Sequence, residues 1–393
     1  MSRELIQNIH ESPLRIVLAI TGGGSLAMSD LLRVPGASRT ILEAIVPYSS
    51  AALVDFLGYE PEQYCSQLTA RRMASRAFWR AVELVKQSGD ARLAEVPLAG
   101  IACTASLASD RPKRGQHRAH IGVQTKSQTE VLTVEFMNPE GTREEEEIQL
   151  ADAILAQVAD CCGLEVVTPK GLNVTWTVSG LCSEAQPRFM ELYLNQKSSV
   201  LIGPESLGEC AIFPGAFDPL HDGHRRMAQL ASQRLGIPVA YEISIVNVDK
   251  PPLDYIDMES RAKQFVNHAP LYLTRCPTFV EKAAVFPGKT FVVGADTIRR
   301  VGDARYYSGD AFQRDAAIDR IAELGCRFLV FGRASDGRFY ELEDLSLPAN
   351  LQALCEAVPE SQFRDDVSST ELRKAVESRE VVGDNDQAQL DAK

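Results

Sequence analysis

The sequence predicts an α/β protein of two domains, and three observations lead to this prediction. Short apolar runs alternate with segments of helical periodicity in two separate stretches of the chain. Residues 163–208 interrupt the alternation, because Gly and Pro recur there and periodicity is weak. At 393 residues the chain is also too long for one hydrophobic core. We therefore predict domains over residues 1–162 and 209–378, a connector with some strand of its own over 163–208 and an acidic tail over 379–393.

The N-terminal alternation predicts five strands and three helices. We expect strands over residues 14–20, 41–48, 96–102, 117–125 and 130–136. We expect helices over residues 25–32, 69–86 and 145–158, where apolar residues recur at helical spacing. A run of glutamates opens the last of these helices, and the positive end of the helix dipole stabilises such a run, so it indicates no metal or partner site.

The C-terminal alternation predicts a doubly wound, Rossmann-like parallel sheet. We expect strands over residues 209–215, 241–248, 271–274, 290–294 and 326–332. We expect helices over residues 221–235, 259–267, 280–286, 311–324 and 370–377. Alternation at this spacing is typical of a parallel sheet covered on both faces, with its ligand at the carboxyl ends of the strands.

Composition indicates a cytoplasmic enzyme that binds small molecules. The chain is 45% apolar and 24% charged, and its net charge of −12 with no basic cluster argues against nucleic acid as a partner. No apolar run reaches the ~20 residues that span a bilayer, and the first residues lack a signal-peptide pattern. The nine cysteines contain no C-x-x-C pair, which favours reduced thiols over disulfides or a zinc site.

The turn G-A-F-D-P-L-H-D-G-H, residues 215–224, follows the first strand of the second alternation. Gly215 and Gly223 allow the main chain to approach a phosphate, and the helix that follows directs its free amides to the same place. His221 and His224 are three residues apart and lie on one side of the first helical turn. The pattern predicts a cradle for a polyphosphate, rather than a pair of surface histidines or a metal site, for which no carboxylate or cysteine has ligand spacing.

Two further motifs follow in the chain. They are F-V-V-G-A-D-T at residues 291–297 and V-S-S-T-E-L-R at residues 367–373. With G-A-F-D-P-L-H-D-G-H, these segments resemble, in the same order, the motifs of the HxGH nucleotidyltransferase superfamily. That superfamily includes nicotinate and nicotinamide mononucleotide adenylyltransferases, phosphopantetheine adenylyltransferases and cytidylyltransferases.

The resemblance implies roles for these residues. His221, His224 and Arg373 would be catalytic, the two histidines contacting the nucleotide phosphates and the transition state. The implied nucleotide-binding residues are Gly215, Phe217, Asp218, Gly223, Asp296, Ser368, Ser369 and Thr370. Mg²⁺ would bridge the phosphates of ATP or CTP, and no protein ligand to the metal is predicted. The serines can also be explained as caps of the helix that begins near Thr370.

The acceptor is less well defined by the sequence. Lys250 follows the second strand of this domain and could reach an acceptor phosphate, or it could be a solvated loop lysine. Arg333 is a weaker candidate of the same kind, and Arg299 and Arg300 are weaker still. Tyr306 and Tyr307 stand where an aromatic clamp for a pyridine ring would be expected.

Residues 35–58 begin P-G-A-S and resemble the CinA C-terminal family, which has nicotinamide mononucleotide deamidase activity. The family's catalytic serine and lysine positions hold Thr21 and Leu53 here. A threonine without a base is not an activated nucleophile, unless His117 or His120 lies within reach of Thr21 or Ser25. The turn T-G-G-G-S at residues 21–25 could bind a phosphate through its amides or be a tight turn without a ligand.

The sequence therefore predicts a nucleotidyltransferase that uses ATP or CTP and a phosphate-bearing acceptor and releases pyrophosphate. The G-A-D-T segment favours nicotinamide or nicotinate mononucleotide as acceptor. The CinA-like domain is expected to be degenerate, with a ligand-binding role or a role in forming a homo-oligomer. The alternatives are a nucleotide-binding regulatory protein without turnover and a bifunctional deamidase-adenylyltransferase.

Overall fold

The structure is a computed structural model, and it divides the chain into two compact units. It describes residues 1–90, 95–110, 115–137, 141–165, 176–204, 206–247, 252–266, 268–335 and 338–364. Unit 1 comprises Met1–Leu194 and Asn247–Glu259, and unit 2 comprises Asn195–Val246 and the chain from Ser260 onward. Both units are mixed α/β, which confirms the predicted fold class.

Unit 1 contains six strands and six helices in its described part. In chain order they are α1 (Arg3–Glu11), β1 (Arg15–Thr21), α2 (Ser25–Arg33), β2 (Ile41–Ile45), α3 (Ser50–Leu57), α4 (Gln67–Ser88), β3 (Leu98–Ser106), β4 (Arg118–Thr125), β5 (Gln128–Phe136), α5 (Arg143–Cys161), β6 (Trp176–Glu184) and α6 (Pro187–Tyr193). The helices α1, α3 and α6 were not predicted from the sequence.

The strands of unit 1 form one sheet in the order β2-β1-β3-β4-β5-β6. β1 is parallel to both β2 and β3, and the remaining pairs are antiparallel. One face of the sheet packs on α1, α2 and α5 around a large apolar cluster. On the other face α4 approaches closely, because a Cβ on Gly100 would lie 2.1 Å from Ala74 O and one on Gly122 would lie 2.4 Å from Ala70 O.

Residues of the predicted connector belong to both sheets. β6 pairs with β5 over nine residues, from Gln128 opposite Glu184 to Phe136 opposite Trp176. Farther along, Ser199–Ile202 forms a strand of unit 2. The sequence predicted some strand within the connector but not the bounds of these two strands, because the apolar runs are short and an edge strand buries only part of its surface.

Unit 2 contains a seven-stranded sheet, a two-stranded hairpin and six helices in its described part, counting the helix that begins in unit 1. The elements are β7 (Ser199–Ile202), β8 (Ala211–Pro214), α7 (Asp222–Leu235), β9 (Val239–Ser244), α8 (Tyr255–Lys263), β10 (Leu271–Thr274), α9 (Phe279–Val285), β11 (Thr290–Gly294), α10 (Ala295–Val301), α11 (Ala311–Glu323), β12 (Arg327–Phe331), β13 (Arg333–Ser335), β14 (Arg338–Tyr340), α12 (Ala349–Gln352) and β15 (Cys355–Val358). The helix α8 begins in unit 1 and ends in unit 2.

The sheet of unit 2 has the strand order β15-β12-β11-β8-β9-β10-β7. All its pairs are parallel except that of β7 with β10, which is antiparallel. The chain winds outward from β8 in both directions, so β8 and β11 flank the point where the strand order reverses. A crevice at the carboxyl ends of such strands is the usual ligand site of a doubly wound sheet.

One predicted helix of unit 2 is displaced by four residues. The sequence predicted a helix over 259–267, whereas α8 covers Tyr255–Lys263. Asp254 accounts for the earlier start, because its Oδ1 accepts the backbone N–H of Asp257 at 3.0 Å as an N-cap does. The predicted last helix at 370–377 and the predicted tail lie outside the described residues. No helix in the described part of the chain is long and apolar enough to cross a bilayer.

Candidate functional site

The H-x-G-H turn lies at the carboxyl end of β8, beside the point where the strand order reverses. The turn runs from Gly215 to His221, and α7 begins at Asp222 with His221 as its N-cap residue. The backbone N–H of Gly215 donates to Glu242 O at 2.9 Å, which continues the pairing of β8 with β9. The turn is thus anchored at its start by the sheet and at its end by a helix of fourteen residues.

The buried side chain of Phe217 supports the conformation of the turn. Its φ is +46° and its side chain is buried. The ring packs edge-on against Phe213, Tyr241 and Phe265, and against His224 with ring centroids 4.9 Å apart. A Cβ on Gly215 would lie 2.6 Å from this ring, so the turn admits only glycine there without displacement.

His221 and His224 form a close pair. Their ring centroids are 3.7 Å apart with an interplanar angle of 30°, and the backbone N–H of His221 donates to His224 Nδ1 at 3.3 Å. A neutral imidazole that accepts at Nδ1 carries its proton on Nε2. Burial, together with the positive charges of His221, Arg333 and Arg225, lowers the pKa of His224 to about 4. His224 is therefore a neutral hydrogen-bond donor at pH 7.

Two side chains that the sequence analysis did not single out fix the rest of the turn. Arg261 donates to Ala216 O at 2.9 Å and to Asp218 Oδ2 at 3.0 Å. Gln264 donates to Phe217 O at 3.0 Å and accepts from the backbone N–H of Leu220 at 2.8 Å. Neither residue lies in a recognisable motif, and only the position of α8 in the fold brings them to the turn.

Arg333 and Asp296 meet at the carboxyl ends of β11 and β12. Arg333 Nη1 is 2.7 Å from Asp296 Oδ2, and both side chains are partly exposed. Arg333 also contributes to the low pKa of His224, so its charge acts on the histidine pair. The arginine was a weak candidate in the sequence, and the structure brings it to the predicted site.

Some of the remaining predicted residues lie in the described part of the chain and the others lie outside it. Arg299 stacks its guanidinium on the ring of Tyr340 at 5.9 Å, Tyr306 is exposed and the hydroxyl of Tyr307 donates to Val301 O at 3.1 Å. Gly223 is buried in the first turn of α7. Predicted residues outside the described part of the chain are Lys250, Ser368, Ser369, Thr370 and Arg373.

Within the described part, no group of three His, Cys, Asp or Glu residues could hold a metal ion.

The glycine-rich turn of unit 1 is occupied by a side chain of the protein itself. Glu147 of α5 accepts from the backbone N–H groups of Gly24 and Leu26 at 2.7 and 3.2 Å and from the Ser25 hydroxyl at 2.8 Å. Burial opposes ionisation of Glu147, yet these hydrogen bonds outweigh it and lower its pKa. A carboxylate fills the amide site in this conformation, which favours the alternative of a tight turn without a ligand.

Within the described part of the chain, neither histidine considered as the base of a hydrolase lies beside Thr21 or Ser25. Thr21 and Ser25 line a cavity of about 410 Å³ to which neither His117 nor His120 contributes. His120 lies in β4 and Thr21 in β1, and β3 lies between these strands, so the two residues are separated by two strand spacings, or about 10 Å. The Nδ1 atom of His120 is instead 2.9 Å from Thr133 Oγ1. Leu53, at the family's lysine position, is buried in an apolar cluster.

His117 and Glu147 do not change this conclusion. His117 Nδ1 is 2.6 Å from Glu146 Oε1. Glu147 contacts Ser25, but a carboxylate whose pKa is lowered is a weak base.

Part of the chain is similar to a known protein family. Residues 212–375 match the cytidylyltransferase-like family model, so the C-terminal part is a cytidylyltransferase-like domain. No curated protein sequence matches the chain significantly.

Among solved structures, a competence or damage-inducible protein from Enterobacter asburiae is 16% identical, covers 41% of this chain and 97% of its own, and has a TM-score of 0.33. A CinA superfamily protein from Escherichia coli is 19% identical, covers 40% of this chain and 84% of its own, and has a TM-score of 0.30. A competence/damage-inducible protein from Agrobacterium tumefaciens is 20% identical, covers 41% and 91%, and has a TM-score of 0.27. Similarity of this degree carries no conclusion about activity.

Proposed function

We propose that this chain transfers the adenylyl group of ATP to nicotinamide mononucleotide or nicotinate mononucleotide and releases pyrophosphate. The observation that carries the proposal is the His221–His224 pair at the N-terminus of α7, at the carboxyl edge of a doubly wound sheet. The match of residues 212–375 to the cytidylyltransferase-like family supports nucleotidyl transfer as the reaction class. CTP is the alternative donor.

The residues of the site suit a reaction without a covalent intermediate. A phosphate oxygen of the acceptor attacks the α-phosphorus of the nucleotide in line, a new P–O bond forms, and the bond to the departing pyrophosphate breaks. Negative charge grows on the phosphate oxygens as this occurs. The Nε2–H of His224 and the free amides of α7 would donate to those oxygens, and they are held in place before the substrate arrives.

Arg333 would add a positive charge at the same edge. Its guanidinium is paired with Asp296, and its positive charge contributes to the low pKa of His224. A bound polyphosphate would compete with Asp296 for Arg333, because an arginine binds phosphate through a fork of donors.

The site fits Mg²⁺ only as part of the nucleotide complex. Asp218 and Asp296 are each paired with an arginine, and Mg²⁺ in such enzymes keeps its waters and binds substrate phosphates. When bound, the ion would neutralise charge on the phosphates. All other steps proposed here use side chains and amides of the chain.

The choice of acceptor rests on the G-A-D-T segment, which resembles the pyridine mononucleotide adenylyltransferases most closely. Lys250 is the proposed contact to the acceptor phosphate. We place the reaction in the cytoplasm, where nucleotides are abundant. None of the nine cysteines forms a disulfide, which supports this placement, since a reducing compartment preserves thiols.

Pyrophosphate release tests the proposal. The purified chain is incubated with Mg²⁺ and either ATP or CTP, and with one acceptor at a time: nicotinamide mononucleotide, nicotinate mononucleotide, phosphopantetheine or phosphocholine. Release with ATP and a pyridine mononucleotide is the expected result. Release with another pair of nucleotide and acceptor would support nucleotidyl transfer but with substrates other than those proposed. No release from folded protein that binds ATP in a titration would identify a nucleotide-binding protein without turnover and overturn the proposal.

A further inference from the structure

Gln264 spans the H-x-G-H turn with the two ends of its side-chain amide. Its Nε2 donates to Phe217 O at 3.0 Å, and its Oε1 accepts the backbone N–H of Leu220 at 2.8 Å. The residue follows directly after α8 and, like the whole turn, belongs to unit 2. One side chain thus fixes two points of the turn that lie three residues apart, and it needs both a donor and an acceptor to do so.

Arg261 fixes two further points of the same turn. Its guanidinium donates to Ala216 O at 2.9 Å and to Asp218 Oδ2 at 3.0 Å, and the side chain is only 15% exposed. The rigid fork of an arginine holds two acceptors in one geometry. Arg261 and Gln264, both in unit 2, therefore hold the turn at four points, each by one hydrogen bond.

The points that Gln264 holds are next to the histidine pair. The ring of Phe217 packs edge-on against His224, with ring centroids 4.9 Å apart. Leu220 directly precedes His221, whose backbone N–H donates to His224 Nδ1 at 3.3 Å. These two contacts to the His224 ring therefore depend on segments that Gln264 keeps in place.

The contact at Nδ1 decides where His224 carries its proton. A neutral imidazole has one N–H, and the hydrogen bond made by one nitrogen determines which nitrogen that is. An Nδ1 that accepts from His221 leaves the proton on Nε2, whereas without that bond both tautomers are available. At 3.3 Å the bond is just longer than the usual range, so a small displacement of the turn would break it. An unprotonated Nε2 could not donate to a phosphate oxygen.

We propose that Gln264, together with Arg261, is a positioning residue that keeps His224 in its Nε2–H tautomer by holding the H-x-G-H turn. Neither side chain needs to touch the substrate for this role. The consequence for turnover rests on the proposed function, because a misplacement of about 1 Å can reduce a reaction rate about a hundredfold and the Nδ1–H tautomer offers no donor. The consequence for the tautomer does not rest on that function.

The test variant is Gln264→Met, which keeps the approximate length of the side chain and removes both hydrogen bonds. Its matched control is Gln313→Met, because Gln313 is an exposed glutamine of α11 in the same unit. The measurement is the ¹⁵N NMR spectrum of the histidine rings at pH 7, where a pKa of about 4 keeps His224 neutral. The chemical shifts of the two ring nitrogens identify the tautomer, and the His224 signals are assigned from their loss in His224→Gln.

We expect the Nε2–H tautomer alone in the wild type and in Gln313→Met, and a mixture of the two tautomers in Gln264→Met. If Gln264→Met does not fold, Gln264→Asn replaces it with the same expected result, because its amide is one methylene shorter and cannot reach both points of the turn. A tautomer mixture in the wild type, or the Nε2–H form alone in a folded Gln264 variant, would overturn the inference.

Kinetics separate this role from the proposed function. We expect kcat for pyrophosphate release to fall about tenfold or more in Gln264→Met while KM for the nucleotide changes less than about threefold, and neither to change in Gln313→Met. If the wild type releases no pyrophosphate, the proposed function fails, and the NMR result alone decides the role of Gln264. An unchanged kcat in a Gln264 variant with mixed tautomers would overturn the consequence for turnover.

Discussion

The imidazole rings of His221 and His224 lie with their centroids 3.7 Å apart, and the backbone N–H of His221 donates to Nδ1 of His224. This contact leaves the Nε2–H of His224 as a donor at the first turn of α7. Both the direction of that donor and the neutral state of the ring are determined before any ligand binds. The pair is therefore preorganised for phosphate oxygens, which is the property expected of a site that acts by positioning.

Replacement of His224 by alanine should reduce turnover by about a hundredfold or more, since loss of one donor to a transition-state oxyanion has effects of that order. The measurement is kcat for pyrophosphate release with the best substrate pair. His268→Ala is the matched control, because His268 is exposed. Equal turnover in wild type and His224→Ala would remove this histidine from the mechanism.

Nucleotide binding should tighten as the pH falls from the pKa of His224 in the complex towards its free value of about 4. His224 has a pKa of about 4 in the free chain, and a bound polyphosphate would raise it because the anion stabilises the imidazolium. Binding then takes up a proton at pH values between the free and the bound pKa, so protons favour the complex. We expect Kd to fall by up to about tenfold per pH unit in that window.

Calorimetric titration with pyrophosphate in buffers of different ionisation enthalpy measures both Kd and the number of protons taken up. In His224→Gln the contribution of this residue to the pH dependence should disappear, because the amide does not titrate. A wild-type Kd that stays constant over the whole range would contradict the prediction.

The sequence predicted the alternating elements and the H-x-G-H turn well, because periodicity and a compact motif are local signals. It did not predict Arg261 and Gln264, whose role comes from the placement of α8 against a turn more than forty residues earlier. It also did not predict that Glu147 fills the glycine-rich turn, since that contact joins residues 123 positions apart. Glu147 belongs to an acidic run that the helix dipole already explains at the start of α5. Only the fold distinguishes Glu147 from the other glutamates of the run as the one that contacts the glycine-rich turn.

Glu147→Gln should destabilise the protein at pH 7 by about 1 kcal/mol, because a charged acceptor is replaced by a neutral one at three donors. The pKa of Glu147 is lowered in the folded state, so its stabilising effect is complete above the unfolded value and is lost as the pH falls through the folded pKa. The difference in unfolding free energy between wild type and variant should thus shrink as the pH falls below about 4.5.

Urea unfolding at pH 7 and at several acidic pH values measures this difference. Glu144→Gln is the control, because Glu144 lines the same cavity but is exposed. A constant difference at all pH values would show that the carboxylate charge has no part in holding the glycine-rich turn.

The chain should not release ammonia from nicotinamide mononucleotide. Among the described residues, neither His117 nor His120 lines the cavity of Thr21 and Ser25, and the amides that could bind a phosphate are occupied by Glu147. The measurement is ammonia formation by the full chain, with Thr21→Val and Ser25→Ala as variants. If the wild type releases ammonia and either variant does not, the chain has a second active site. The alternative of a bifunctional deamidase-adenylyltransferase would then be supported.

Gly215→Ala should reduce both stability and turnover. The added Cβ would lie 2.6 Å from the ring of Phe217, which is closer than non-bonded carbon atoms approach, and the ring is enclosed by Phe213, Tyr241, Phe265 and His224. Either the ring or the turn must move, at a cost of about 1–3 kcal/mol for an overpacked site. Since the ring contacts His224, the displacement should also lower kcat.

Gly208→Ala is the matched control for this last substitution, because no atom lies within 4 Å of its added Cβ. Urea unfolding and pyrophosphate release are measured on both variants. Loss of stability without loss of kcat would mean that the turn can move without the histidines. Loss of neither would contradict the tight packing of Phe217 against Gly215, and with it the structural reason for glycine at the start of the H-x-G-H turn.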